Sequence, residues 1–444
     1  MIDRVPRLAW RAPLVLAMLS GAIPAGVGAQ TLTLGAALDS ALATHPSVGA
    51  AQARMEGATA THEAARAAYL PTVTGSAGIT RFQQPMVVAP LHGFDPLHPP
   101  AFDQTLIQGQ VGMAYTLFDG GARGALSSGT AAAEESMALQ KDAIVQELIQ
   151  SVTLAYTAVL GSREVFIAAE AQVDALASEF DRAGQRLREG TAARVEVLRA
   201  EAALLDARAQ SASAEVQVGV AERNLARLMG VDPSTTLGRS LADVAPRRGA
   251  RGVAVADNPR ILAAARAVDA AQARVDQENA GRLPSVRAAA GLQNFGSSRG
   301  EYDTEWQAGL QVSWPLFTGG ARTAAIHKAR ADLRVAEQQL AQARLAVAAD
   351  LDGADAAWRE ASARAEALAA SVAQWEEVAR VEALSLENGA GLQQDYLRAQ
   401  AALFQARAGL ARARFDMILA LVGRARAQGH LDLDWMATAL ETAR

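Results

Sequence analysis

The chain contains no cysteine. That absence excludes disulfides, thiolate metal sites, cysteine nucleophiles and a lipid-modified N-terminal cysteine. Lysine is nearly missing too: Lys141 and Lys328 are the only two, and every other basic residue is arginine. Acids outnumber bases and the net charge is -5, so no nucleic-acid partner is expected. Aromatic residues make up only 5%, and alanine alone supplies nearly half of the 50% hydrophobic fraction. A length of 444 residues would ordinarily mean about three domains, but large apolar side chains are too few for several bulky cores. Beyond the N-terminal segment no run reaches ~18 uninterrupted apolar residues, so no transmembrane helix is expected. The histidines (His45, His62, His92, His98, His327 and His430) are scattered. No catalytic constellation, cofactor motif or metal-ligand spacing stands out, and no enzyme is expected. The Gly120-Gly121 and Gly319-Gly320 pairs lack the Lys-Ser/Thr of a phosphate loop.

What remains is alanine, the strongest helix former and small enough for close helix packing. Before the helices comes an export signal. Arg4, Arg7 and Arg11 precede the apolar stretch Pro13 to Ile23, and Val27-Gly28-Ala29 offers small residues for cleavage. Residues 1–29 therefore read as a signal peptide, the apolar stretch being short for a membrane anchor.

The rest is a tandem repeat. Leu117-Phe-Asp-Gly-Gly-Ala-Arg123 returns as Leu316-Phe-Thr-Gly-Gly-Ala-Arg322, and the segment Leu198–Arg208 returns as Leu397–Arg407, both at an offset of 199. Upstream, His45-Pro46 matches Asn258-Pro259 and Leu70-Pro71 matches Leu283-Pro284, at an offset of 213. The first copy thus carries 14 extra residues between its Leu-Pro and its Gly-Gly (213 − 199). The expected layout is a first repeat over 30–230, a linker over 231–256, a second repeat over 257–427 and a tail over 428–444. Each repeat reads helix, two strands, very long helix, shorter helix. The first helices stop at Leu-Pro, where proline disfavours helix in the residue before it. The long helices start after the Gly-Gly pairs, with Asp119 and Thr318 as candidate caps, and break at Gly190 and Gly389.

The long helices carry a heptad. Val145, Val152, Val159, Phe166, Val173, Phe180 and Leu187 fall seven apart, as do Leu340, Val347, Ala354, Ala361, Leu368 and Trp375. A sustained seven-residue period favours left-handed helix-on-helix packing, and each such helix would be ~100 Å long.

The expected strands, about 72–82, 105–118, 285–295 and 305–317, have bilayer-crossing length when tilted. Ile107, Val111, Met113, Tyr115 and Leu117 alternate with polar or small residues, and Trp306, Leu310, Val312 and Trp314 do the same. Trp306 and Trp314 would lie roughly 19 Å apart across a membrane, matching aromatic girdles. Phe82, Tyr115 and Phe118 are further girdle candidates. The proline-rich stretch 84–103, with His92 and His98, is expected to be an exposed hairpin loop. A half-buried soluble sheet would alternate in the same way. Four strands cannot close a barrel, and open edges are not tolerated in lipid. Two chains would give eight strands with a filled interior, and three would give twelve with room for a pore.

Taken together, the two-copy layout, Leu-Pro before each strand pair, LFDGGAR, WPLFTGGAR, EGTAARVEVLRAEAALLDAR and NGAGLQQDYLRAQAALFQAR resemble the TolC-like outer-membrane efflux proteins. The resemblance implies an α+β membrane protein: a homotrimer with a 12-stranded barrel in outer-membrane lipid and a periplasmic α-helical barrel. It implies two further partners, a periplasmic adaptor (membrane fusion) protein and an inner-membrane pump. It also implies a passive exit duct for efflux or type I secretion in a Gram-negative bacterium. In that pattern Asp395 occupies an acidic position at the narrow periplasmic entrance, Arg398 stands where some relatives are acidic, and Glu196 and Arg199 are their first-repeat counterparts. A secreted coiled-coil fibre or adhesin is the competing class. It accounts for the heptads and the export signal but not for the strand pairs.

Overall fold

The computed structural model describes residues 31–89, 96–97, 100–235, 240–247, 258–300 and 302–442. The signal-peptide segment, His92, His98 and half of the linker lie outside the described residues. In chain order the elements are α1 (Leu34–Thr44), α2 (Pro46–Ala67), β1 (Thr72–Val87), β2 (Phe102–Phe118), α3 (Ala122–Arg188), α4 (Arg194–Met229), β3 (Val244–Pro246) and α5 (Pro259–Ala280). There follow β4 (Ser285–Ser297), β5 (Tyr302–Ser313), α6 (Ala321–Glu387), α7 (Gln393–Gln428), α8 (Leu433–Ala439) and β6 (Leu440–Thr442). The two halves match in helix length: 22 residues for α2 and α5, 67 for α3 and α6, 36 for α4 and α7.

Local chemistry sets these boundaries. His45 Nδ1 accepts the Ser47 amide and Asn258 Oδ1 the Arg260 amide, while Pro46 and Pro259 occupy the first helical turn. The strand-to-helix corners use consecutive left-handed glycines, Gly120 and Gly121 (φ 66° and 94°) and Gly319 and Gly320 (φ 60° and 88°). Asp119 bonds the amides of Gly121 and Arg123 and the Arg123 guanidinium. Thr318 supplies its carbonyl to the Ala321 amide. At the far end Gly190 (φ 74°) and Gly389 (φ 73°) close the 67-residue helices.

Four strands form one antiparallel sheet in the order β1-β2-β4-β5. β1 and β2 run further into the proline-rich stretch than the alternation indicates, to Val87 and from Phe102. The ladder breaks between Arg81 and Met86, so Pro85 sits where no amide is needed, on an edge strand. β5 is shorter than expected, because Trp314–Phe317 lies beyond Ser285, where β4 begins, and contains Pro315.

The main core lies part-way along the helices. Leu38 from α1, Ile149, Val152 and Val159 from α3, Leu225 from α4, Ile418 and Val422 from α7, and Leu431 and Met436 near the C-terminus pack together. The linker and the tail belong to it, since β3 pairs with β6. Fully buried Tyr156 fixes this junction: its hydroxyl lies 2.8 Å from the Leu32 carbonyl and 2.7 Å from the Ala242 carbonyl. By length and composition a stretch of α3 could cross a bilayer, but half of that stretch is buried within the chain.

Glu164 on α3 borders this core. Burial, reinforced by Asp243, raises its pKa, and Arg414 only partly offsets them. A carboxyl raised in the folded state contributes stability below the ordinary carboxylate range and loses it as pH rises through the raised value. Glu164→Gln is therefore expected to unfold at a higher denaturant concentration than the parent at pH 7. The difference should close as pH falls to about 4; a constant difference at both pH values would contradict this assignment.

Candidate functional site: a two-faced sheet and a polar helix end

Register gives the sheet two unlike faces. On one, Gly75, Val111, Leu292 and Trp306 form a row across all four strands, with Val73, Met113, Ala290 and Ala308 in the next. Tyr115, Ala288 and Leu310 follow. The other face carries Thr74, Gly112, Gly291 and Gln307, then Ser76, Gln110, Gln293 and Glu305. Phe295 is a large apolar exception there, between Gln108 and Asp303. No core covers the apolar face: Trp306 is 75% exposed and Leu310 70%. A soluble half-buried sheet would hide such residues against a second layer. Here one face suits lipid and the other suits water.

The girdle candidates occupy different places on this sheet. Trp306 sits in the row with Leu292. In the next row outward Asn294 Nδ2 donates to Thr304 Oγ1 at 2.8 Å, so the apolar character of β4 and β5 is interrupted just beyond Trp306. Trp314 follows the last residue of β5, and its indole N–H donates to the Arg282 carbonyl at 3.2 Å. Tyr115 pairs with Ala288, and a register shift after Thr116 pairs Phe118 with Val286, which keeps both on the apolar face. Phe82 falls in the unpaired stretch of β1.

The helices continue the strand order. Next to the sheet α2 packs on α3, α3 on α5 and α5 on α6; farther away α4 packs on α3, α3 on α7 and α7 on α6. β5 and α6 thus form one edge of the chain, and β1 with α2 and α4 the other. α6 equals α3 in length yet buries fewer than half as many residues.

At the end remote from the sheet the seams differ in chemistry. Leu176 of α3 packs on Leu204 and Ala207 of α4, and Ala379 of α6 on Ala399 and Leu403 of α7. Between α3 and α7 the contact is polar. The Glu179 carboxylate is fully buried, 2.7 Å from Arg186, 3.4 Å from Arg182 and 3.0 Å from the Gln393 amide. Nearby, the Tyr396 hydroxyl reaches the Ala175 carbonyl at 3.4 Å. Sequence reasoning missed this cluster; its signal was Gln172, Glu179 and Arg186 falling seven apart beside the apolar heptad.

Asp395 lies in the first turn of α7, 3.7 Å from Arg398, and both are substantially exposed. Glu196 lies in the first turn of α4 and accepts the Ala193 amide at 3.4 Å, while Arg199 is exposed one turn on. The fold brings Asp395 and Arg398 together and puts both pairs at the helix ends farthest from the sheet. Among the described residues no group of three or more His, Asp or Glu side chains is arranged to hold a metal ion.

Comparison with known proteins places this geometry. The sequence model described as "Outer membrane efflux protein" matches residues 37–231 and 251–430. Protein CyaE of Bordetella pertussis is 32% identical over 352 residues, covering 76% of this chain and 71% of that one. Outer membrane efflux protein BepC of Brucella suis is 27% identical over 435 residues, 94% of this chain and 90% of that one. The crystal structure of the outer membrane protein VceC from Vibrio cholerae superposes with a TM-score of 0.77 at 18% identity, covering 90% of this chain and 97% of VceC. The fold is that of TolC-like channels, not of an enzyme family. Matched over most of its length in both halves, the chain belongs to the outer membrane efflux protein family and works as an outer-membrane channel extending into the periplasm.

Proposed function

We propose that three copies of this chain close into one duct, a 12-stranded barrel in outer-membrane lipid continued by a tunnel of helices through the periplasm. The carrying observation is the two-faced sheet with unpaired edges. β1 and β5 are antiparallel to each other, because three antiparallel pairings separate them. The β5 edge of one copy can therefore accept β1 of the next, and an all-antiparallel ring can close. Unpaired edge groups in lipid cost several kcal/mol each, about as much as any unmet backbone group in hydrocarbon. Twelve strands leave an open lumen where eight would be filled. The face bearing Gln110, Gln293, Gln307 and Glu305 lines that lumen. Trp314, Tyr115 and Phe118 stand at the periplasmic rim of the apolar band. Trp306 marks the outer rim beside the polar Asn294–Thr304 row, and Phe82 lies beyond it.

The far helix ends form the entrance. There the duct meets a periplasmic adaptor and an inner-membrane pump and passes their cargo outward, in efflux or in type I secretion. Relatedness to the efflux protein BepC supports this reading. So does the length of the 67-residue helices, ~100 Å at ~1.5 Å per residue, which suits a conduit across a compartment. Asp395 and Arg398 face the threefold axis as a ring of carboxylates partly neutralised by guanidinium groups. Such an exposed pair contributes at most about 1 kcal/mol to stability, so its role is electrostatic selection rather than folding.

Reconstituted in planar bilayers, the protein is expected to conduct ions in discrete steps. Asp395→Ala should lower its preference for cations and Arg398→Ala should raise it, each by about two-fold or more if three copies line the axis. Parent-like selectivity in both variants would remove the pair from the entrance, and absence of any channel would contradict the duct itself.

Glu179 gives a separate test. Glu179→Ala leaves Gln393 unpaired within the α3–α7 seam, a loss of about 1–3 kcal/mol for a buried polar group. The expected outcome is a lower denaturation midpoint and a larger mean conductance, because the entrance is held less firmly. An unchanged conductance would confine Glu179 to folding.

A further inference from the structure

At the level of Tyr156 the helices have two unlike sides. Val152, Tyr156 and Val159 of α3 and Ile418 and Val422 of α7 point into the main core, where α1, β3, α8 and β6 pack on them. At ~100° per residue, Leu154, Ala158 and Val165 of α3 point the other way, about 160–180° from Tyr156. Asp416 of α7 is likewise turned away from Ile418. A ring closed with the core side inward would fill its own bore with α1, α8 and the short strands. In the duct proposed above, the side bearing Leu154 and Asp416 therefore lines the passage.

That side is furrowed. A cleft of about 430 Å³ runs between α3 and α4, lined by Leu154, Ala158, Gln217, Val220 and Leu228 among others. A second, of about 440 Å³, runs between α6 and α7 and holds Asp350, Glu360, Arg364 and Asp416. Eight of the nine residues lining the first return at an offset of 199 among those lining the second, so the clefts are one feature of both repeats. Their chemistry has diverged. Ser151, Leu154 and Gln217 become Asp350, Gly353 and Asp416, while Gly161 and Val165 become Glu360 and Arg364. A third cleft, of about 240 Å³, joins the two: it shares Leu154, Ala158 and Gln217 with the first and Asp416 and Leu419 with the second. The result is one trough across α4, α3, α7 and α6, apolar at one end and charged at the other.

Most of the charge is already spoken for. Asp350 lies 2.8 Å from Arg260 and 3.7 Å from Arg426. Arg364 pairs with Glu360 and lies 3.9 Å from Asp416. Arg412 is different. It stands in the middle cleft beside Val165, Phe415 and Leu419, and among the described residues no ion pair holds it. Its counterpart in the first repeat is Ser213, so this charge belongs to one half only. Towards the apolar end, Leu154 is 53% exposed and Val220 45%. An open guanidinium beside an open apolar bed matches a molecule with a carboxylate or sulfonate on an apolar body. The anion takes the fork of N–H donors, and the body covers the leucine and valine. A cation finds Glu360 and Asp416 engaged by Arg364. The clefts between the helix pairs have the size of small-ligand sites.

We propose that this trough is a contact site for amphipathic organic anions in the bore, with Arg412 as the charged anchor and Leu154 and Val220 as the apolar bed. Each copy contributes one trough, so apolar and charged clefts alternate around the passage at one height. The site rests on the duct proposed above and names a class of molecule that lingers in it. It lies well away from the entrance pair Asp395 and Arg398, at the start of α7.

The test is block of the whole channel in planar bilayers by naphthalene-2-sulfonate. The expected result is a concentration-dependent fall in current. Methanesulfonate, which lacks the apolar body, and 2-naphthylmethylammonium, which carries the opposite charge, should block far more weakly. Arg412→Gln is expected to raise the half-blocking concentration about five-fold or more, and Leu154→Gln about three-fold. Both side chains are exposed, so both variants should still form channels. Arg398→Ala, at the entrance, should leave the half-blocking concentration within about two-fold of the parent's if the sites are separate. A conducting channel that the sulfonate does not block, or that the sulfonate and the ammonium block equally, would overturn the site while leaving the duct standing. Relief of block by Arg398→Ala but not by Arg412→Gln would do the same. Absence of any conductance would overturn the duct and the site with it.

Discussion

Everything in this molecule depends on the backbone hydrogen-bonding groups along two strand edges. Among the described residues β1 and β5 each have one neighbouring strand, and no strand lies against their outer rows of N–H and C=O groups. Water could satisfy them in a soluble sheet. In hydrocarbon nothing can except another strand. The apolar face of the sheet, with exposed Trp306, Leu310 and Val312, commits those edges to hydrocarbon. The ring of copies proposed above would therefore meet a requirement of hydrogen bonding before serving as a device for transport.

The helical part follows from the same incompleteness. The repeat places an equivalent helix after each hairpin, so in the proposed assembly a ring of strands would lead directly into a ring of helices. α3, in the middle of the chain, is covered on both flanks; α6, at its edge, is covered on one. The core around Tyr156 ties α1, the linker and the C-terminal elements to α3 part-way along its length. It gives the single chain a packed middle. At the far end apolar seams hold α3 to α4 and α6 to α7, while the seam between the two pairs carries buried Glu179. A polar seam loses less on separation than an apolar one, because its groups regain water. In the proposed duct that difference would make the α3–α7 boundary the line along which the entrance loosens first.

Much of this architecture is legible in the residues. Duplicated motifs at constant offsets give the two halves, Gly-Gly and Leu-Pro give the corners, and the heptads give the long helices. Strand alternation gives the faces, since residues at i and i+2 share one. Other parts are not legible for physical reasons. α1 and α8 are short and carry no long period, and their helicity depends on packing into the core around Tyr156. β3 and β6 are three residues each and exist because they pair with each other, Val244 with Thr442 and Pro246 with Leu440, far apart in the sequence. The ends of β1 and β5 depend on which partner is present: Pro85 is tolerated because β1 is an edge, and Trp314–Phe317 leaves the sheet because β4 does not reach it. Glu179 was hidden because a lone acid in a heptad ordinarily marks the solvated side, and only the position of α7 shows that this one is enclosed. Asp395 and Arg398 were visible as a pair, since i and i+3 on a helix are neighbours.

The central claim is that the strand edges are satisfied by further copies of the same chain. The most direct measurement is the mass of the protein particle extracted from membranes in mild detergent, taken by native mass spectrometry after the detergent is stripped. The account predicts a single species of three chains with no folded monomer beside it. A folded, monodisperse single chain, stable in buffer without detergent, would contradict it.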